Sequence, residues 1–127
     1  MKPAGGDTTI EVQFEDGPGI LVASATGSYS LEAMLPMLER VAAEARTRGA
    51  RRVLIDVSRV GGEVPDLDRY EMGKYAAGTF AHIERLGVLR APDLRYTGFA
   101  FDVAQTRGLD ARPFVARAQA ERWLASD

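Results

Sequence analysis

The chain has 127 residues, of which 46% are hydrophobic and 27% are charged, and its formal net charge is −2. This length and composition predict one globular domain with its own hydrophobic core. The small net charge provides no general attraction to nucleic acid or to an anionic membrane surface.

The residue counts exclude several kinds of site. The sequence has no cysteine, which excludes disulfides, thiol nucleophiles and cysteine ligands for metals. His82 is the only histidine, so a zinc site built from several histidines is excluded as well. No apolar run is long enough to cross a bilayer, and the first residues lack the apolar segment of a secretory signal. We therefore expect a cytoplasmic protein with no metal, no cofactor, no nucleic-acid partner and no integral membrane segment.

The first part of the chain predicts a hairpin. Residues 1–8 are expected to be a disordered lead-in to a single domain that covers residues 9–126. Residues 9–15 alternate between apolar and polar side chains, which is typical of a half-buried strand. A turn sequence, Asp-Gly-Pro-Gly, follows at residues 16–19, and residues 20–27 form a second apolar run. The two runs predict an antiparallel pair of strands.

A long helix is predicted next, because apolar side chains recur at helical spacing between residues 31 and 45. Ser28 and Ser30 are the candidate N-cap residues, and Gly49 is expected to end the helix. Pro36 lies inside the pattern, where it should kink the first turns or delay the start of the helix.

The stretch VLIDVSRVGGEVPD, residues 53–66, is the most informative part of the sequence. Its apolar beginning, residues 53–58, lies between two predicted helices, which predicts a central parallel strand. Two glycines and Pro65 then form a loop. Asp66 is the expected N-cap of a helix over about residues 67–80.

The remaining elements alternate between strands and helices. A strand is predicted over residues 83–89 and a helix over about residues 94–107. Residues 112–115 predict a strand at a sheet edge, because Pro113 has no N–H to donate to a neighbour. A last helix is predicted over residues 116–126, with Trp123 and Leu124 facing the core. The order β-β-α-β-α-β-α-β-α predicts an α/β (α+β) domain with a mixed, mostly parallel sheet of about five strands.

This pattern resembles a known fold. The hairpin, the helix, the strand VLIDVSRV with its loop, and the ending RPFVARAQAERWLASD are similar to STAS domains of the SpoIIAA-like branch, also described as STAS/SEC14-like. The resemblance covers roughly residues 9–124, and the fold includes the anti-sigma-factor antagonists. It implies helices packed mainly on one face of the sheet, no catalytic residues, and action by docking on partner proteins.

One departure from the family pattern concerns its phosphorylation switch. In the antagonists, a serine at the start of the helix after this loop is phosphorylated, which prevents docking. When Asp56 and Ser58 are aligned with the similar residues of the family pattern, Pro65 and Asp66 occupy the serine positions. Neither has a hydroxyl group, so the resemblance does not carry the switch over to this chain. The carboxylate of Asp66 either imitates a phosphorylated serine or caps the helix, and the sequence favours the cap.

Asp56 is unusual because it lies in an apolar strand, where a charge requires hydrogen-bond partners. We expect its carboxylate to accept N–H groups of Gly61 and Gly62 and so to structure the loop. The alternative is a base or a magnesium ligand at the carboxyl edge of the sheet, with Glu63, Asp66 and Asp68 as its companions. The glycines match neither phosphate-binding loop motif, and no nucleophile motif surrounds Ser58.

Three functions remain open at this point. The first is a non-enzymatic regulatory domain that binds another protein, or a second copy of itself, through the loop and helix after the central strand. The second is a carrier or sensor of a small apolar or lipid-like ligand held in an apolar pocket. The third is a phosphate- or acyl-group enzyme that uses Asp56 and Glu63. The partner-binding residues of the first are Val60, Glu63, Asp66, Tyr70, Glu71 and Lys74, and the pocket residues of the second are Tyr70, Met72, Tyr75, Tyr96, Phe99 and Phe101.

Overall fold

The structure, a computed structural model, describes residues 10–17, 19–93 and 96–127. The predicted lead-in, residues 1–8, lies outside the described residues. The elements are β1 (Ile10–Gly17), β2 (Ile20–Ser28), α1 (Leu31–Arg48), β3 (Arg52–Gly61), α2 (Asp66–Thr79), β4 (Arg85–Leu89), α3 (Phe99–Thr106), β5 (Ala111–Phe114) and α4 (Arg117–Ala125). The predicted order of strands and helices is therefore confirmed.

The strands form one sheet with the spatial order β1-β2-β3-β4-β5. The β1–β2 pair is antiparallel, and the other three neighbouring pairs are parallel. This confirms the predicted mixed, mostly parallel sheet. β5 lies at one edge of the sheet, as the sequence predicts. Pro113 has no N–H to donate to a neighbouring strand, and an edge strand has a neighbour on one side only.

β3 is the centre of the sheet, and it is longer than predicted. Val53, Leu54 and Ile55 are buried almost completely, since strands lie on both sides and helices on both faces. β2 continues to pair with β3 as far as Gly61, which extends the strand three residues past its predicted end. Between the pairs Ser24–Asp56 and Thr26–Arg59, β3 contains one more residue than β2, which is a β-bulge.

The sheet has a hydrophobic core on each face. The larger core contains buried residues of α1, α2 and α3 together with Val53 and Ile55, and the smaller core contains Leu54 and buried residues of α4. Alternate residues of β3 therefore contribute to opposite cores, as the period of a strand requires. Three of the four described helices contribute to one face, which agrees with the arrangement that the resemblance implied.

The ends of α1 follow the predicted local signals. The hydroxyl oxygen of Ser30 accepts a hydrogen bond from the N–H of Ala33 at 3.1 Å, so Ser30 is the N-cap, whereas Ser28 belongs to β2. Gly49 follows the helix with a φ of 66°, a conformation that glycine adopts at little cost. Pro36 is exposed in the second turn and does not delay the start of the helix.

The prediction that Asp66 is an N-cap was wrong. Pro65 occupies the N-cap position, and its carbonyl accepts the first helical hydrogen bond from the N–H of Arg69 at 3.0 Å. Asp66 is therefore the first residue inside α2. Asp66 and Asp68 both lie in the first turn, where negative charge interacts favourably with the helix dipole.

α3 is shorter than predicted. It begins at Phe99 rather than near Leu94, which lies outside the described residues. Gly98 precedes the helix with a φ of 75°. A residue in this left-handed conformation does not fit inside a right-handed helix, so the helix begins after it. β4 similarly begins at Arg85, two residues after its predicted start, with Ile83 buried in the turn before it.

α4 covers the smaller core with Leu124, whose side chain is fully buried. Gly87 of β4 allows this contact, because a Cβ at that position would lie 3.3 Å from a methyl group of Leu124. The prediction that Trp123 also faces the core was only partly correct. Trp123 lies half-buried at the rim, with its ring 5.6 Å from that of Phe114 and 4.7 Å from the guanidinium carbon of Arg112.

Two arginines hold the last turn of α4. Arg52, at the start of β3, donates to the carbonyl oxygens of Leu124 and Ser126 at 2.7 and 2.6 Å. Arg85, at the start of β4, donates to the carbonyl oxygen of Trp123 at 2.7 Å. Carbonyl groups at the end of a helix have no partner within the helix, and cations at this end interact favourably with the helix dipole.

α2 and α3 approach each other so closely that their contact requires a glycine. A Cβ at Gly73 would lie 2.4 Å from the carbonyl oxygen of Ala100 and 2.9 Å from the Cβ of Val103. No side chain other than hydrogen is compatible with this spacing, so the position of α2 depends on Gly73.

We expect Gly73→Ala to lower the free energy of unfolding by about 1–3 kcal/mol, because the added methyl group forces the two helices apart. Gly78→Ala in the same helix is the matched control, since its Cβ would have no neighbour within 4 Å. The control should be neutral or stabilise the protein by up to about 1 kcal/mol, because alanine favours helix more than glycine. Urea unfolding of both variants tests this, and an equal effect at the two positions would contradict it.

Candidate functional site

The loop between β3 and α2 is held by a residue that follows β2. Since β2 and β3 are parallel, their carboxyl ends lie at the same edge of the sheet. The N–H of Tyr29 donates to the carbonyl oxygen of Gly61 at 2.7 Å, and its hydroxyl donates to a carboxylate oxygen of Asp68 at 2.9 Å. Tyr29 therefore connects the end of β2 with both ends of the loop.

The hydroxyl of Tyr29 remains a hydrogen-bond donor under all ordinary conditions. Burial, and then the neighbouring carboxylate of Asp68, raise the pKa of this hydroxyl well above its usual value. Tyr29 was not among the predicted site residues. The available signal was its place directly after β2, because residues that follow adjacent parallel strands meet at one edge of the sheet.

The hydrogen bonds of Asp56 differ from those predicted. Its carboxylate accepts the N–H of Ser58 at 2.9 Å and the hydroxyl of Ser58 at 2.6 Å. Both bonds lie at the β-bulge of β3, and neither involves Gly61 or Gly62. Gly62 contributes to the loop in another way, through a φ of 104° that other residues rarely adopt.

Four residues of α2 lie on a single outward stripe. Leu67, Tyr70, Glu71 and Lys74 are spaced at i, i+3, i+4 and i+7, which places them on one face of a helix. The opposite face contains the buried residues Gly73 and Ala76. We call the stripe of Leu67, Tyr70, Glu71 and Lys74 the α2 outer face. Leu67 is 72% exposed, compared with 51% for Val115 and 39% for Phe99, the other exposed large apolar side chains among the described residues.

The polar residues of the α2 outer face contact one another. The ammonium of Lys74 lies 3.4 Å from a carboxylate oxygen of Glu71 and 5.4 Å from the centre of the Tyr70 ring. Arg107, directly after α3, donates to the hydroxyl oxygen of Tyr70 at 3.2 Å. α2 therefore has acidic residues in its first turn. Near its middle it has one cation of its own, Lys74, and a second cation, Arg107, that approaches from the end of α3.

The structure brings most of the predicted partner-binding residues together. Tyr70, Glu71 and Lys74 share the α2 outer face, and Asp66 is exposed at its beginning. Glu63 is exposed in the preceding loop. Val60 differs, because its side chain is half-buried against the larger core. Leu67 was not among the predicted contacts, although its spacing from Tyr70 and Lys74 was the signal for it.

The six predicted pocket residues do not share one environment. Met72, Tyr75 and Phe101 pack against the larger core, whereas Phe99 is 39% exposed. Tyr70 lies on the α2 outer face, and the ring of Tyr96 lies 6.4 Å from that of Phe101. Tyr75 also lines a shallow hollow of about 430 Å³ beside α1, together with Leu35, Pro36, Glu39, Arg40 and Ala43. A pocket for an apolar ligand remains a prediction.

His82 lies far along the sheet from Ser58. Ser58 is near the carboxyl end of β3, whereas His82 precedes the amino end of β4, beside Ala42 and Arg46 of α1. Burial, and then the positive charge of Arg46, lower the pKa of His82. Among the described residues, no three acidic or histidine side chains are grouped as a metal ion would require.

Comparison with known proteins identifies the fold. No protein-family model and no curated protein sequence matches the chain. Several solved structures are similar to it, among them the following two. One is an anti-sigma factor antagonist from Mycobacterium paratuberculosis, with 20% identity, a TM-score of 0.63, and coverage of 93% of this chain and 96% of that one. The other is an uncharacterised protein with a SpoIIAA-like fold from Shewanella loihica PV-4.

The second structure has 19% identity, a TM-score of 0.56, and coverage of 92% of this chain and 94% of that one. These similarities extend over nearly the whole of each chain, and the chain therefore has the SpoIIAA-like, STAS-type fold. Within the described part of the chain, no helix has both the length and the apolar character needed to cross a membrane.

We expect Tyr29→Phe to lower the free energy of unfolding by about 1 kcal/mol, since it removes one hydrogen bond to a half-buried carboxylate. Tyr70→Phe is the control, because the bond of Tyr70 to Arg107 is exposed, and its effect should be below about 0.5 kcal/mol. Chemical denaturation measures both. Equal losses would mean that Tyr29 does not hold the loop.

The stability of the protein should fall as the pH decreases below the ordinary pKa of histidine, 6.5. Because the pKa of His82 is lower in the folded state, the unfolded chain binds more protons in this range. The contribution of neutral His82 is complete above pH 6.5 and is lost as the pH falls through the folded-state pKa. Urea unfolding between about pH 5 and 8 should show a smaller pH dependence for His82→Gln than for the wild type. Parallel curves would exclude this role.

Proposed function

We propose that this protein is a non-enzymatic regulatory protein that binds another protein through the loop at residues 61–65 and the α2 outer face. The observation that carries the proposal is the 72% exposure of Leu67 at the centre of this surface. Full burial of a leucine side chain contributes roughly 1.5–3 kcal/mol before the costs of association, so a partner that covers Leu67 removes apolar surface from water.

The fold supports this proposal. The structure of the anti-sigma factor antagonist from Mycobacterium paratuberculosis matches the chain over 93% of its length. That protein acts, according to its name, against a regulatory protein. We propose a role of the same class here, with a protein partner in the cytoplasm.

The local structure supports it as well. Tyr29 holds both ends of the loop, and Gly73 fixes α2 against α3. A surface held in this way loses little conformational entropy on binding, so more of the contact energy contributes to affinity. The docking surface is therefore preorganised.

We do not propose a phosphorylation switch like that of the antagonists for this protein. Pro65 is the N-cap residue of α2 and Asp66 is its first helical residue, so the positions aligned with the family serines have no hydroxyl group. Asp66 places a permanent negative charge at the edge of the docking surface. Binding at this position is therefore not controlled by serine phosphorylation.

The distribution of polar groups supports a function without catalysis. The carboxylate of Asp56 is bonded to Ser58 within β3, and Glu63 is exposed in the loop. The only histidine lies toward the other end of the strands, beside α1. Within the described part of the chain, the groups that acid–base or nucleophilic catalysis requires are thus not brought together around Asp56.

Site-specific photo-crosslinking in the native host tests the proposal. A photoreactive amino acid at position 67 should form a covalent complex with one protein, because Leu67 lies at the centre of the docking surface. Position 115 is the matched control, since Val115 is 51% exposed but lies between β5 and α4, outside this surface. Crosslinks of equal yield and identity at both positions, or none at position 67, would reject the proposed surface.

Charge reversal provides a second measurement of the same interface. Lys74→Glu should reduce the yield of the crosslinked complex, because it inverts a positive charge of the α2 outer face, whereas Glu71→Lys leaves the cations of that face in place and should form the complex normally. The free energy of unfolding should change by less than about 0.5 kcal/mol, since the Glu71–Lys74 ion pair is exposed. A complex that forms normally with both reversed variants would show that α2 does not contact the partner.

A further inference from the structure

The ring of Tyr70 lies within about 6 Å of two cations. The ammonium of Lys74 is 5.4 Å from the ring centre, and the guanidinium carbon of Arg107 is 5.9 Å from it. The guanidinium also donates to the hydroxyl oxygen of Tyr70 at 3.2 Å. Two separate elements, α2 and the end of α3, therefore bring hydrogen-bond donors to one exposed point.

Around the side chain of Tyr70, the hydrogen-bond donors of Arg107 and Lys74 exceed the acceptors available to them among the described residues. Arg107 forms no ion pair among the described residues, and its contacts there are with the Tyr70 side chain. Because the Tyr70 oxygen accepts from Arg107, its own O–H can donate to a further acceptor. Lys74 lies 3.4 Å from Glu71, so Glu71, Lys74 and Arg107 together have one positive charge in excess.

We propose that Tyr70 and Arg107, with Lys74 beside them, bind a carboxylate side chain of the partner protein. This inference rests on the proposed function, because it specifies the chemistry of the protein that docks there. A guanidinium and a phenol O–H supply the two donors that the oxygens of a carboxylate accept. The single excess positive charge matches one carboxylate better than a phosphate dianion.

The spacing of the helix adds a geometric requirement. Leu67 and Tyr70 are three residues apart, which corresponds to a rise of about 4.5 Å along the helix axis. The partner must therefore present an apolar side chain for Leu67 and an acidic side chain about one helical turn away. The docking segment of the partner is acidic and amphipathic.

A titration followed by NMR tests this inference directly. ¹⁵N amide and arginine Nε signals of the whole protein are recorded while hexaglutamate, or hexalysine as the control peptide, is added. Hexaglutamate should cause saturable shifts centred on Tyr70, Lys74 and Arg107, and hexalysine should not. Shifts of equal size at Arg51 and Arg112 would overturn the site, because they would show general attraction to arginine.

Three variants separate recognition from charge. Arg107→Ala should weaken hexaglutamate binding about tenfold or more, since it removes a charge-assisted hydrogen bond. Arg122→Ala removes an equally exposed arginine from α4 and should leave binding unchanged. Tyr70→Phe keeps the ring and should weaken binding a few-fold. Unaltered binding to Arg107→Ala would overturn the inference, and the amide spectrum verifies that each variant is folded.

Other occupants are distinguished in the same titration. Inorganic phosphate that binds as tightly as hexaglutamate would overturn the assignment to a carboxylate. Shifts at Tyr70 and Arg107 that depend on protein concentration alone would assign the site to a second copy of the chain instead. If the crosslink from position 67 forms with undiminished yield in Arg107→Ala, this inference fails and the proposed function stands. If that crosslink is absent in the wild type, the proposed function itself fails.

Discussion

The parallel pairing of β3 with β2 and β4 is the constraint on which the rest of the structure depends. Val53, Leu54 and Ile55 are buried between these strands, and their alternation supplies both hydrophobic cores. Because the three strands point in one direction, their amino ends form one edge of the sheet and their carboxyl ends form the other. The two edges have different roles, and each role depends on contacts between residues that are far apart in the sequence.

At the amino edge, Arg52 and Arg85 hold the end of α4 through its terminal carbonyl groups. These bonds position Leu124 over the smaller core, where Gly87 leaves room for it. At the carboxyl edge, Tyr29 holds the loop that leads into α2. The first edge therefore contributes to the stability of the fold, and the second edge presents the surface that we propose for docking.

α2, the helix that we propose for docking, has few fully buried residues. Gly73 and Ala76 are buried, and Gly73 allows the close contact with α3, while Met72 and Tyr75 pack half-buried against the larger core. Leu67 is exposed and Tyr70 is half-buried on the α2 outer face. Substitutions in the α2 outer face leave the inner contacts in place, so the proposed docking surface can be tested without loss of the fold.

The sequence by itself determined the class and order of the elements, because hydrophobic period, turn residues and the end signals Ser30 and Gly49 act within a few residues of the chain. It also predicted Tyr70, Glu71 and Lys74 as one group, since helical spacing is local. Only the tertiary structure decided the partner of Asp56, the place of Trp123 at the rim, and the contacts of Tyr29 and Arg107. Each of these depends on which chain segments meet in space, and the pairing of strands and the packing of helices set those distances.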